Sequence, residues 1–131
     1  MALSELVEDL VTAGRHGVVR IAQERRRQIA EEFYSAEYDD HYKKCELLRA
    51  AICYAEAGWI LAGGGSLREV RTSGRIATVW PWPRNLFKPA EDPARNLEKA
   101  GALLAAEMDR LERLYLVAAA PGECAQENEQ G

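Results

Sequence analysis

Arg25 and Gln28 stand three residues apart in a stretch that also holds Arg15, Arg20, Arg26 and Arg27. A guanidinium beside a primary amide suits phosphate and ribose oxygens, because both groups offer directed N–H donors. The structural alternative pairs Arg25 with Glu46 or Glu107 as an ion network inside a helical bundle, since a carboxylate facing a core is costly unless paired. Asp39-Asp40-His41 is a second chemical cluster. Two carboxylates and an imidazole, with Cys45 one turn beyond His41, are a metal-ligand set in composition. The same aspartates also suit an N-cap for the helix that follows. His16, beside Gly17, reads as a solvated linker residue.

The third cluster is Trp80-Pro81-Trp82-Pro83, continued by Phe87, Lys88 and Pro89. Two prolines hold the backbone extended and deny it amide donors, so the indoles are held by side-chain contacts. Three readings stand. The segment is a lid packed over Trp59 and Phe33; or it stacks a flat ligand beside Arg84, Lys88 or Arg25; or it docks a protein partner.

Four helical segments are needed to position these groups. Ser4 is an expected N-cap for a short helix ending at Gly14. From about 17 to 34, Val18, Ile21, Ala22, Ile29 and Phe33 share a face that Arg25 interrupts. From about 42 to 61, Leu48, Ala51, Ile52, Ala55 and Trp59 recur at helical steps, and Gly63 to Gly65 end the run. Asp92-Pro93 caps the fourth, where Leu97, Ala100, Leu104, Met108, Leu111, Tyr115 and Ala118 form a bundle seam. Between the last two, LREVRT and RIATVW flank Ser73-Gly74, which predicts a small β-hairpin or an irregular insertion.

Composition limits what these elements can belong to. A chain of 131 residues is one domain of ordinary size, and 17 basic against 21 acidic residues leave a formal charge of −4. That acidic balance argues against coating a nucleic-acid duplex. Much of the charge lies in 121–131, an acidic flexible tail holding Glu123, Glu127 and Glu129, so the body at 1–120 (insertion 64–90) is near neutral. The three cysteines are too few for a disulfide framework, and with no secretory leader read at the start they predict reduced thiols in a cytoplasmic protein. The apolar stretches are shorter than the ~20 residues of a membrane span.

Several blocks occur in a recognisable order. They are Glu24-Arg25-x-Arg27-Gln28, Asp39-Asp40-His41, Glu46-Leu47 with Ala50-Ala51-x-x-Tyr54-Ala55, Trp80-Pro81-Trp82 with Lys88-Pro89, and Asp92-Pro93-x-Arg95-Asn96-Leu97-x-Lys99-Ala100-Gly101-Ala102-Leu103-Leu104-x-Ala106-Glu107. Together they resemble a family of small helical proteins encoded by phages and prophages, over roughly residues 24 to 113. The family has no assigned activity, so the resemblance implies a viral origin rather than a mechanism. Cys45 stands where the family carries glycine, and the stretch from Gly64 to Val79 is longer than its counterpart.

A weaker resemblance is to the MazG-like all-helical nucleoside triphosphate pyrophosphohydrolases, whose acidic helices hold Mg²⁺. Here Glu31-Glu32 is followed by Glu37 at a different step, Glu46-Leu47 has a similar setting, and the fourth helix lacks a Glu-x-x-Asp. The expectation is therefore an all-α bundle of about four helices that self-associates through its long last helix. Its function is expected to be capture of a nucleotide or nucleotide-derived host signal, without turnover, as a counter to host defence. The ligand-binding residues expected are Arg25, Gln28, Trp80, Trp82, Lys88 and Glu107, with Asp39, Asp40 and His41 as metal ligands and Mg²⁺ the metal. A metal-dependent pyrophosphohydrolase and an adaptor or inhibitor of a host protein are the alternatives.

Overall fold

The computed structural model describes residues 2–14, 16–31 and 45–116. Helices α1 (Leu3–Thr12), α2 (Gly17–Glu31) and α3 (Glu46–Ala62) are followed by two short ones, α4 (Leu67–Arg71) and α5 (Gly74–Val79). A 3-10 turn at Arg84–Leu86 then leads to the long α6 (Pro93–Leu116). The all-α expectation holds for the described residues. No helix among them is long and apolar enough to cross a membrane. The expected acidic tail at 121–131 lies outside the described residues, as do Phe33 and Ala118.

The expected hairpin is replaced by α4 and α5, and serines explain why. Ser66 accepts a hydrogen bond from the Glu69 amide at 3.2 Å, and Ser73 accepts one from the Ile76 amide at 3.3 Å. Each serine satisfies an orphan donor of a first helical turn, so Ser73-Gly74 starts a helix where a strand turn was read. Asp92 does cap α6 as expected, its side chain accepting from the Ala94 amide at 3.0 Å, with Pro93 first in the helix.

The apolar core lies between α3 and α6 and beneath the 64–90 insertion. Leu47, Ala50, Cys53, Tyr54 and Ala57 of α3 meet Ala100, Leu103 and Ala106 of α6, with Val70, Ile76, Trp80 and Phe87 closing the far side. Small residues let the helices approach. A Cβ on Gly58 would lie 2.7 Å from Leu97 Cδ2, and one on Gly101 would lie 2.6 Å from Ile21 Cδ1. Gly58 thus seats α3 on α6, and Gly101 seats α2 on it.

This packing turns the helices away from the faces read in the sequence. Glu24 and Gln28 are buried on α2 while Val18 and Ile29 are exposed. On α3 the buried row is Leu47, Ala50, Ala51, Tyr54, Ala57 and Gly58, leaving Ile52 and Trp59 outside. On α6 it is Asn96, Ala100, Leu103, Glu107 and Arg110, leaving Leu97, Leu104, Met108 and Tyr115 outside. The expected seam on α6 shares only Ala100 with that row. The physical reason is that paired charges such as Glu24 and Glu107 and close-fitting small residues occupy the interfaces.

Cys45 precedes α3 with φ of 61°, a left-handed conformation that glycine adopts without strain. Helix α3 therefore begins four residues later than expected, and Asp39 and Asp40, read as its caps, lie outside the described residues. Cys45 is disulfide-bonded, which corrects the expectation of three reduced thiols. Cys53 is a free thiol, buried, its pKa pushed up to about 11 by desolvation.

The Gly101 seat makes a sign prediction. Alanine is favoured over glycine inside a helix by about 1 kcal/mol, whereas overpacking costs about 1–3 kcal/mol. Gly101→Ala should destabilise the parent protein in urea unfolding, and the same change should stabilise an Ile21→Ala background, where the clashing side chain is gone. Equal effects in both backgrounds would show that Ile21 does not set the spacing.

Candidate functional site

Between α2 and α6 lies a chain of charges centred on Glu24, whose side chain is 1% exposed. Arg27, one turn along α2, grips both carboxylate oxygens, with Nε to Oε1 at 2.7 Å and Nη2 to Oε2 at 2.8 Å. Arg95 reaches Oε1 from α6 at 2.7 Å and holds Glu98 at 2.9 Å, and Glu98 accepts from Arg20 of α2. Arg27 also meets Glu31 at 3.2 Å. The network crosses the helix interface twice, at Glu24–Arg95 and at Arg20–Glu98. Burial alone would raise the Glu24 pKa; the hydrogen bonds and charges of Arg27 and Arg95 outweigh it and hold the carboxyl below its ordinary value. Burial would lower the Arg95 pKa, and Glu24 and Glu98 reverse that.

Gln28 lies beside this carboxylate and is 2% exposed. Its Nε2 donates to Glu24 Oε2 at 3.2 Å, while its Oε1 is buried with no hydrogen-bond partner. Farther along α6, Glu107 accepts from Arg110 Nε at 2.6 Å, both side chains almost wholly buried. Among the described contacts, Arg110 meets Glu107, and Arg25 reaches Asp109 at 3.9 Å. Glu46 is half-buried in the first turn of α3.

The tryptophan segment forms a separate group. Trp80 is 8% exposed and donates from Nε1 to the Pro83 carbonyl at 3.1 Å. Its ring stands 5.8 Å from Tyr54, 4.9 Å from Phe87 and 5.4 Å from Trp82, the Tyr54 and Trp82 contacts being edge-on. Lys88 donates its backbone amide to the Tyr54 hydroxyl at 3.1 Å, and its carbonyl accepts from Lys99 Nζ at 2.7 Å. The lid reading fits this packing, with Tyr54 and Phe87 beneath it where Trp59 and Phe33 were expected. Trp59 is instead exposed, and Phe33 is outside the described residues.

The six expected ligand-binding residues therefore do not form one group. Arg25 and Gln28 stand on α2 beside its contact with α6, Glu107 pairs with Arg110 along α6, and Trp80, Trp82 and Lys88 belong to the aromatic cover of α3. Asp39, Asp40 and His41 lie outside the described residues, within which no group of three or more His, Cys, Asp or Glu side chains is placed to hold a metal ion. His16 is exposed as expected, one ring nitrogen 3.1 Å from the Val11 carbonyl.

Sequence reasoning missed Glu24, Arg95 and Asn96. A signal for the first two was present. Arg20, Glu24, Arg27 and Glu31 alternate in sign at steps of four, three and four, and Arg95–Glu98 repeats the step of three on α6. Asn96 exchanges hydrogen bonds with the Ala90 backbone, at 2.9 Å as acceptor and 2.8 Å as donor, and so ties the insertion to α6. No local pattern marks that role.

Two measurements probe these groups. Glu24 has a lowered folded pKa, so its contribution is present above the unfolded pKa and is lost as pH falls through the folded one. Glu24→Gln should cost about 2 kcal/mol near neutrality, below the 3–5 of a fully buried pair because Arg27 and Arg95 are partly solvated. That gap should close in acid, and a gap independent of pH would refute the assignment. For the lid, Trp80→Ala should cost about 3 kcal/mol or more and Trp82→Ala roughly half as much. Equal, small losses in chemical denaturation would show that the indoles are not structural.

No protein-family model, curated protein or solved structure matches this chain.

Proposed function

We propose that the protein captures a nucleotide or nucleotide-derived host signal without turning it over, as a phage counter to host defence. The observation that carries this reading is Gln28. Buried polar atoms in native proteins are almost always hydrogen-bonded, so a buried amide oxygen with no partner is an acceptor available to a ligand N–H or O–H. A nucleobase amine or a ribose hydroxyl supplies such a donor. Arg25, three residues away, is the cation that would meet the phosphates, and Glu107, Trp80, Trp82 and Lys88 are secondary candidates. Mg²⁺ enters as the counter-ion of the phosphates, with Asp39, Asp40 and His41 as its proposed ligands.

The phage origin rests on the resemblance of the sequence blocks. The cytoplasm goes with the reading because host nucleotide signals act there. The disulfide at Cys45 weighs against that compartment, since cytosolic thiols are kept reduced. The reading also includes self-association through α6, whose outward apolar residues are those expected of an interface.

Incubation with a nucleotide panel and Mg²⁺ or Mn²⁺, followed by desalting, denaturation and chromatography, tests the proposal. The expected result is one nucleotide class retained and recovered unchanged. Gln28→Leu should weaken its retention about tenfold, the loss of one hydrogen bond in a buried site. Recovery of a monophosphate from a triphosphate would replace capture with MazG-like hydrolysis. Retention of no nucleotide would overturn the reading and leave the host-protein adaptor.

A further inference from the structure

The whole-chain charge of −4 hides a segregation. The insertion at 64–90 holds Arg68, Arg71, Arg75, Arg84 and Lys88 against one acid, Glu69, while the other 104 residues hold twelve basic and twenty acidic side chains. A segment of charge +4 is thus mounted on a body of charge −8. All five of its cations are exposed. Among the described residues the one ion pair that any of them makes is Arg75 with Glu56, at 3.9 Å.

The fold gathers these charges. Arg68 and Arg71 stand three residues apart on α4, so their side chains leave one face of it about 5–6 Å apart. Arg84 donates from Nη2 to the Arg71 carbonyl, which brings a third guanidinium to the end of the same helix. Arg49 of α3 donates from Nε to the Val79 carbonyl, at the end of α5, at 2.9 Å. The charges of Arg49 and Arg84 both act on the Cys53 thiol, so both lie near one point of α3. Each of these two arginines is held by one N–H on a backbone carbonyl, which orients the fork without neutralising it. An indole stands at the edge of the group. Trp82, two residues before Arg84, is half-buried with its ring edge-on to the buried Trp80, and Leu86, two residues after Arg84, is 50% exposed.

We infer that this face binds a short stretch of single-stranded nucleic acid, with Arg68, Arg71 and Arg84 on its phosphates and Trp82 against a base. Oriented guanidiniums without carboxylate partners suit phosphate oxygens, and an indole beside them supplies the stacking surface that single strands use. The acidic body sets the length and the form. A polyanion running past the insertion meets a charge of −8, which disfavours a rigid duplex and favours a few flexible nucleotides. This site is distinct from Gln28 and does not depend on the capture of a nucleotide there.

Fluorescence anisotropy of a labelled oligothymidylate of about twelve residues, titrated at low salt with the full-length protein, tests the inference. Binding should weaken with salt at a logarithmic slope of about −2, as three phosphate contacts on a single strand require. The double variant Arg68→Glu, Arg71→Glu should lose about tenfold or more with an unchanged melting temperature, since both side chains are exposed. Arg26→Glu on α2, also exposed, should bind as the parent does, and so should Gln28→Leu. Trp82→Leu should weaken binding about fivefold or more and leave the salt slope as it was. Absence of binding at low salt would overturn the inference, as would an equal loss in Arg26→Glu or a complementary duplex that binds as tightly. Displacement by polyglutamate more effective than by unlabelled oligothymidylate would overturn it too, and would give the face to an acidic protein segment.

Discussion

A carboxylate buried between two helices governs how this fold is arranged. Glu24 can stay ionised out of water only because Arg27 chelates it from its own helix and Arg95 meets it from α6. Breaking either contact leaves a charge partly desolvated, so the interface has one low-energy azimuth for α2. Arg20–Glu98 repeats the link about one turn away on each helix and prevents α2 from rolling about the first. With the polar edge of α2 turned inward, its apolar edge must turn out. Val18 and Ile29 are exposed for that reason, and not because the helix is poorly packed.

Helix α6 is thereby asymmetric. On its α3 side the contact is largely apolar, with Leu47, Ala50, Tyr54 and Ala57 in one cluster with Ala100, Leu103 and Ala106, and Gly58 permits close approach. On its α2 side the contact is ionic, eased only at Gly101. Partly solvated arginines at 20, 27 and 95 are screened by salt, whereas small-residue packing is not. The α2–α6 contact is accordingly the separable one of the two, and it is the one that holds Gln28. A ligand reaching the buried Gln28 oxygen would enter along this ionic seam, without disturbing the packed core beneath the tryptophans.

Helix existence was legible because apolar periodicity and the Asp92-Pro93 cap are local signals. Face assignment was not, since Leu97, Leu104 and Met108 recur at the same steps whether they meet another helix in the chain or lie outside. Ser73 misled in another way. A serine followed three residues later by a donor amide caps a helix, but Ser73-Gly74 between β-branched residues also reads as a hairpin turn, and the caps decide in favour of helix. The site was legible in parts. Gln28 stood out as a polar residue on an apolar face, and the two prolines pointed to tryptophans held by packing. Its centre, Glu24, was hidden because Arg95 is seventy-one positions away and pairs only through the fold.

The positions where sequence periodicity and single-chain burial disagree are themselves informative. An apolar stripe that forms on only one helix and stays exposed needs no explanation, since folded surfaces are largely apolar. Val18, Ile52, Leu104 and Met108 stand at helical steps that fit burial, yet the interior is already filled by alanines, by the aromatic group around Tyr54 and by paired charges, so periodicity alone does not decide which face of a helix turns inward.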